Sequence, residues 1–487
     1  MLMFRRLLIA SAAVALLSGG AQAQTVAQKQ GIKDYFAAEA VGPIATAEAL
    51  RDKALRDYLA WDITEDLTTN IGPRLVGSPA MAKAKDWGVA KFKALGFTNI
   101  KVEEFAKPSW TRGEESAELV APYAMKLGAV GLGRTVSTPA GGIEAEVALF
   151  KTFADMMAAP EGALKGKIVV ITQPMVRTQD GAGYGVAGIS RRVGPVEAAK
   201  RGAVAMLIRS ISTSDSTVPH TGGTASGEGV VTIPAAAIGV PEAEQLERLA
   251  ARKVPMRVKL KLESSVNPNN VAWNISGDIK GSEKPDEVIV IGGHLDSWDV
   301  GTGALDDATG IAITTAAAKL IGDLPKRPKR TIRVVMWGSE ESGGSSEAYL
   351  AAHKDELNKM VLAGESDSGA DRIYSLQVPA GSLEHPVVKA AASVLAPLKI
   401  YVDRAPAAGA GADVSGIERA GVPVIKLNQD ASRYFDYHHT MDDTLDKVRP
   451  AELAQNVAAW ASLVYLVADS DVDFRALKPA APTPTAK

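Results

Sequence analysis

The sequence predicts an α/β fold, a mostly parallel sheet sandwiched by helices and interrupted by a β-rich segment. Three observations carry this. From about residue 265, apolar runs of strand length (EVIVIGG, TIRVVMWG, MVLAGES, VPVIKLN) alternate with helical stretches, the order a sheet covered on both faces requires. Between about residues 115 and 263 the texture changes to short β-like runs broken by glycine and proline. The chain also has 487 residues, more than one core usually organises, so at least two domains are expected.

Taken in order, the chain opens with MLMFRRLLIASAAVALLSGGAQAQ. Arg5 and Arg6 precede an apolar run, Leu7 to Leu17, that is too short to span a bilayer, and Ala21-Gln22-Ala23 is a small-x-small cleavage pattern. A signal peptide over residues 1–23 is expected, with a periplasmic or secreted mature chain starting near Gln24. Residues 31–68 read as helical, NIGPRLVGSP as a loop, MAKAKDWGVAKFKALGF as a helix and NIKVEEF as a strand. In the middle, AELVAP, IEAEVALF, GKIVVIT, VAMLIRS, IPAAAIG and MRVKLKL read as strands, with VEAAKRGA as the one clear helix. The expected division is a discontinuous α/β domain over 24–114 and 264–475, an insert over 115–263, and a Pro/Ala-rich disordered tail over 476–487.

Composition narrows the function. Hydrophobic residues at 46% and charged residues at 23% describe a soluble globular protein. A net charge of −2 with no basic tract argues against nucleic acid as a partner. The absence of cysteine excludes disulfides and thiolate metal sites. No HExxH, GxSxG or Walker motif is present.

The polar residues fall at the ends of the predicted strands. His294 follows EVIVIGG, Glu340 and Glu341 follow TIRVVMWGS, Asp367 follows MVLAGES, His438 and His439 lie in the loop after VPVIKLN, and Asp306 and Asp307 open a helix. In open parallel sheets, ligands bind beyond the carboxyl ends of the strands. Alone, an aspartate pair at a helix start is usually a cap, a glutamate pair is usually solvated, and a histidine pair is usually loop decoration. Their shared position points instead to a cation site. Two histidines and three carboxylates give each of two Zn²⁺ ions three protein ligands if one carboxylate bridges, and a bridging hydroxide would serve a hydrolase as nucleophile. Asp307 is expected to cap the helix, Asp299 to form a surface salt bridge, and His353 and His385 to be surface histidines.

HLDSWDVGTGALDDATG, WGSEESGG, ESDSG and YHHTMDDT together resemble the co-catalytic di-zinc aminopeptidase-type metallopeptidase family. The likeness extends to GPRLVGS, VEAAKRGAVAMLIRS, VPHTGG and RPKRTIRVVMWGSEE, and so covers most of the mature chain. It implies a zinc exopeptidase fold with a protease-associated domain as the insert. It also implies His294, Asp306 and Asp367 on the first zinc, and Glu341, His439 and the shared Asp306 on the second. Glu340 matches the general base, and Asp296 the carboxylate that orients His294. The family often has a cis peptide within the aspartate pair. His220, in VPHTGG, is implied to reach a substrate pocket, and the protein is implied to form a homodimer. The expected activity is zinc-dependent hydrolysis of short peptides, dipeptides above all. The alternatives are a broad aminopeptidase, a one-zinc cyclase-like transferase, and a metal-free binding protein on the same scaffold. WGSEESGG and AGAGADVSG depart from relatives at positions that bear on substrate specificity.

Overall fold

The computed structural model describes residues 42–477 apart from Glu228. The expected signal peptide, residues 31–41 of the first helical stretch and residues 478–487 of the expected tail lie outside the described residues. Ala476, assigned to that tail, closes a short 3-10 turn, Phe474–Ala476.

The central sheet has five strands, in the order Thr98–Ala106, Val271–Ile279, Arg330–Trp337, Lys284–His294, Met360–Glu365. Lys284–His294 runs parallel to both of its neighbours, whereas the other two pairings are antiparallel. The expectation of a mostly parallel sheet is therefore corrected to a mixed one. The reason is topological: the chain leaves for the insert through Thr98–Ala106 and returns through Val271–Ile279. Such a pair needs no helical crossover and can lie antiparallel. The apolar runs survive because both faces are covered: every residue of Arg330–Trp337 is buried.

VPVIKLN is a second correction. Val424 makes only an isolated bridge to Ala363, and the strand proper, Lys426–Gln429, pairs in a separate three-stranded sheet with Ile373–Gln377. The helix Thr309–Gly322 is buried along nearly its whole length, packed by Pro450–Ala468 and Leu59–Asp66, and Pro450–Ala468 in turn packs on Pro43–Ala54.

A second, eight-stranded sheet is built from residues between Ser109 and Asn267, a little wider than the expected insert. Its inner strands alternate with period two. Val169, Ile171, Met206, Ile208, Ala235 and Ala237 join the core shared with the central sheet. Their sequence neighbours Ile168, Val170, Ala205, Leu207, Ala236 and Ile238 face the other way, onto Ala243, Leu246 and Leu249. Those three belong to the helix Val240–Ala251, which the sequence reading missed. Its signals were present: a proline at the first turn, and Val240, Ala243, Leu246 and Leu249 three residues apart. The short helices Gly183–Ala187 and Ile189–Arg192 add to it, so VEAAKRGA is not the single helix of this region.

Two contacts tie the second sheet to the loop after Lys284–His294. Arg112 grips Asp299 with two hydrogen bonds, 2.9 and 3.0 Å. Asp299 is thus a half-buried structural partner and not a surface one. Trp298 packs with Leu75 and Trp110, and its ring lies against Gly133, where a Cβ would overlap it. The two histidines set aside as surface residues are also relocated. His353 is 2% exposed and sits between Glu103 and Glu356, while half-buried His385 caps Pro386–Leu395 by accepting from the Val387 amide.

The Gly133 contact yields a stability prediction. Gly133→Ala should force Trp298 or the backbone aside and cost about 1–3 kcal/mol, the usual range for overpacking. Denaturant unfolding monitored by tryptophan fluorescence measures it. An unchanged midpoint would show that the two layers are not held together at this point.

Candidate metal centre

His294 ends the middle strand of the parallel trio, and the loop after it returns at Asp306 and Asp307. Glycine makes that return possible at two places. A side chain at Gly293 or Gly310 would strike the Asp307 carboxylate. With those positions bare, Asp307 accepts from the His294 amide at 3.0 Å and from the Gly310 amide at 3.1 Å. It therefore caps the helix start, as expected, and pins His294 as well. The Asp306–Asp307 peptide is cis, as the resemblance implied.

The donors converge on Asp306. Its Oδ1 lies 3.0 Å from His294 Nε2, and its Oδ2 lies 3.2 Å from His439 Nε2 and 3.3 Å from His438 Nε2. Asp367 Oδ1 is 3.7 Å from His294 Nε2, and Glu341 Oε2 is 3.0 Å from His439 Nε2. Two three-donor groups result, His294–Asp306–Asp367 and Asp306–Glu341–His439, each with its ligand atoms within 4.8 Å of one another. They share Asp306.

This donor set fits a pair of divalent cations. Asp306 Oδ2 and Glu341 Oε1 are buried and accept no hydrogen bond from the protein. Carboxylates crowd the site: burial pushes Glu341 up to about 7, and burial also raises Glu340, Asp307, Asp367 and Glu365. Asp306 runs the other way, because the imidazoles of His438, His294 and His439 outweigh its burial. Cysteine-free N/O donors in this arrangement suit zinc. A third group, His220–His438–His439, is already served by a cation: the Arg191 guanidinium lies 2.9 Å from His220 Nε2.

The supports reveal residues the sequence reading did not single out. Asp443 accepts from the amides of Leu305 (2.6 Å) and Asp306 (3.2 Å), which fixes the backbone beneath the shared carboxylate. Burial and then the charge of Asp306 push Asp443 up to about 7. Arg74, from GPRLVGS, is fully buried and donates to the carbonyls of Gly72, Leu295, Thr302 and Gly303, so one guanidinium staples the loop between His294 and Asp306. Burial lowers it to about 10, and it stays charged near neutral pH. An arginine in an otherwise apolar loop was the available signal, and it was weak.

Asp296 is placed differently from the expectation. The His294 Nδ1 partner is the Asp296 carbonyl oxygen at 2.9 Å, while the carboxylate stands at 3.6 Å. That carboxylate instead accepts from the amides of Glu340 (3.0 Å) and Glu341 (3.3 Å) and so positions both glutamates. Glu340 lines the cavity beside Asp306, Glu341, Asp367 and His439, a space of about 390 Å³.

His220 also needs correction. It reaches the centre from within its own chain but is fully buried, with its ring 4.8 Å from that of His439, and it does not line the cavity. Burial and the neighbouring His439, His438 and Arg191 hold it well below the usual histidine range. Its neighbours in VPHTGG explain the motif. A Cβ on Gly222 would strike Arg191 and come within 2.7 Å of His439 Nδ1, and one on Gly223 would come within 2.8 Å of Arg134 Nη2. The Thr221 carbonyl faces His439 Nδ1 at 3.4 Å.

Residues 274–464 match peptidase family M28. Mouse carboxypeptidase Q is 38% identical over 406 residues, 83% of this chain and 84% of that protein. Human carboxypeptidase Q is 37% identical over the same shares. Among solved structures, a peptidase M28 precursor from Shewanella amazonensis SB2B superposes with a TM-score of 0.87 at 42% identity, covering 91% of this chain and 99% of that one.

Asp443 offers a test of the support. Asp443→Ala frees the backbone under Asp306 without removing a donor, so zinc affinity should fall about 10–100-fold, the usual effect of losing an outer partner. Competition against a chromogenic chelator measures it. Unchanged affinity would show that the loop holds Asp306 unaided.

Proposed function

The chain belongs to peptidase family M28 with the carboxypeptidase Q proteins and is a zinc metallopeptidase, and from that premise we propose that it is a secreted di-zinc exopeptidase acting on short peptides, dipeptides above all. The observation that supports this most is the sharing of Asp306 by two three-donor groups beside a cavity lined by Glu340. His294, Asp306 and Asp367 would hold one Zn²⁺, and Asp306, Glu341 and His439 the other. Zinc bound there supplies Lewis acidity toward the scissile carbonyl and toward water.

The chain's own residues do the rest. Glu340 is the proposed general base. Its amide is fixed by Asp296, and burial, then the charges of Asp367, Glu341 and Asp413, raise its carboxyl above the usual range, the direction that favours holding a proton. It takes a proton from the attacking water and delivers it to the leaving amine nitrogen. Tyr434 and Phe435 contribute aromatic wall to the cavity, and Arg191 holds the second-sheet loop against His439. The second sheet is proposed as a protease-associated domain that shapes the rim and supplies no metal ligand. The active form is proposed to be a homodimer.

Among the described residues no helix is long and apolar enough to cross a membrane. The leader-like N-terminus supports export. Protein recovered from a periplasmic or culture fraction should begin near Gln24 and scatter light as a dimer. Retention of the leader, or a fully active monomer, would remove the corresponding part of the proposal.

Glu340 and Glu341 are adjacent but have different proposed tasks. Glu340→Gln should keep about two zinc ions per chain and lose roughly 10²–10⁴-fold in kcat with little change in KM. Glu341→Gln should lose metal as well as rate, because the second site would keep only His439 and the shared Asp306. Elemental analysis and kinetics on the two variants decide. Metal loss from Glu340→Gln with retention by Glu341→Gln reverses the assignment.

A further inference from the structure

The cavity beside the metal donors is lined on its second-sheet side by Arg134, Arg191 and Arg192. Two of these are committed. Arg191 donates to His220, to the Thr221 carbonyl and to the Tyr184 hydroxyl. Arg192 is exposed and donates to the Gly185 carbonyl. Arg134 is different: among the described residues it makes no ion pair, and its buried Nε has no hydrogen-bond partner. Burial disfavours its charge, and Arg191 adds repulsion. A guanidinium placed this way lacks an anion.

The backbone underlines the point. Leu132 to Thr135 form a turn closed by the Thr135 amide on the Leu132 carbonyl, with Arg134 at φ +67°. Glycine or asparagine is the usual occupant of such a turn position. The chain places an arginine there, and Gly223 opposite leaves its Nη2 the room it occupies.

A second cavity of about 230 Å³ adjoins the first and shares Asp367 and Ser368 with it. Its charged lining is mainly acidic, with Asp180, Glu365 and Asp367 beside Lys426. Glu365 Oε1 is buried there without a partner. The first cavity therefore offers arginine side chains and the adjoining one mainly carboxyl groups.

We propose that Arg134 receives the free α-carboxylate of the substrate, with the peptide's amino end lying toward Glu365. The inference rests on the exopeptidase reading and sharpens it: the enzyme reads the carboxyl terminus and selects dipeptides over peptides whose terminus is blocked. Arg134 is a binding residue in this scheme, and it takes no part in proton transfer or metal ligation.

The test compares Ala-Ala with Ala-Ala amide. Wild type should favour the free acid in kcat/KM by about 10–100-fold, the range expected for a charge-assisted bidentate pair. Arg134→Gln should erase that preference by losing rate on Ala-Ala alone, chiefly through KM, at unchanged zinc content. Arg134→Lys should restore part of it, since lysine keeps the charge but not the fork. Equal loss on both substrates, or a wild type indifferent to amidation, overturns the proposal. Calorimetric binding of the same two peptides to zinc-loaded Glu340→Gln, with and without Arg134→Gln, requires no turnover. A carboxylate preference that vanishes with Arg134 there, in a protein that cleaves neither peptide as wild type, would overturn the peptidase specificity and leave the Arg134 assignment standing. No preference in that binding arm overturns Arg134.

Discussion

The physical constraint on which the rest depends is the burial of carboxylates around Asp306. Asp306 and Asp307 are buried, as are Asp296, Glu365, Asp413 and Asp443, and burial alone drives most such groups toward their neutral forms. A fold that gathers them without compensating cations would lose several kcal/mol per charge. The imidazoles of His294 and His439 answer part of that deficit for Asp306, and the donor geometry leaves the remainder to divalent metal. The choice of residue types follows from this: nitrogen and oxygen donors, each held by something other than the ion.

What holds them is mostly backbone. Asp443, Asp307 and Asp296 are carboxylates that ligate no ion themselves in this scheme. Each spends its carboxylate on main-chain amides at the points where a donor residue enters the site. Arg74 does the reverse and spends three of its four hydrogen bonds on carbonyls of the loop between His294 and Asp306. Charged groups bonded to backbone fix position more rigidly than long side chains paired with each other, because the backbone has fewer ways to relax. Ser345, which donates to Asp413, and Glu365, which accepts from the Asp413 and Val414 amides, extend the same device to AGAGADVSG, one of the segments that depart from relatives in sequence.

The second sheet is more than a lid. One of its faces belongs to the same core as the central sheet, and its connecting segments bring Arg191, Thr221 and Gly222 against His439. Arg112 and Trp298 bind it to the loop that follows His294. The metal donors and the arginines of the cavity therefore share one packed unit, and a substrate that meets both is oriented by elements far apart in sequence.

The sequence alone determined what local chemistry can determine. Alternating apolar runs located the strands, polar residues at the ends of those runs located the donors, and the glycines of HLDSWDVGTGALDDATG signalled a tight return. Position at strand ends singled out His294, Asp367 and the pairs Asp306–Asp307, Glu340–Glu341 and His438–His439, and only the family resemblance chose Asp306, Glu341 and His439 from those pairs. Tertiary structure alone decided the pairings. Strand direction depends on which partner a run finds, so the mixed sheet and the displaced Lys426–Gln429 strand could not be read from hydrophobicity. The burial of His353, the retreat of His220 behind Arg191, and the roles of Arg74, Asp443 and Arg134 are likewise matters of neighbourhood. A charged residue looks the same in sequence whether it meets water, a carbonyl or an empty cavity, and packing between distant segments makes the difference.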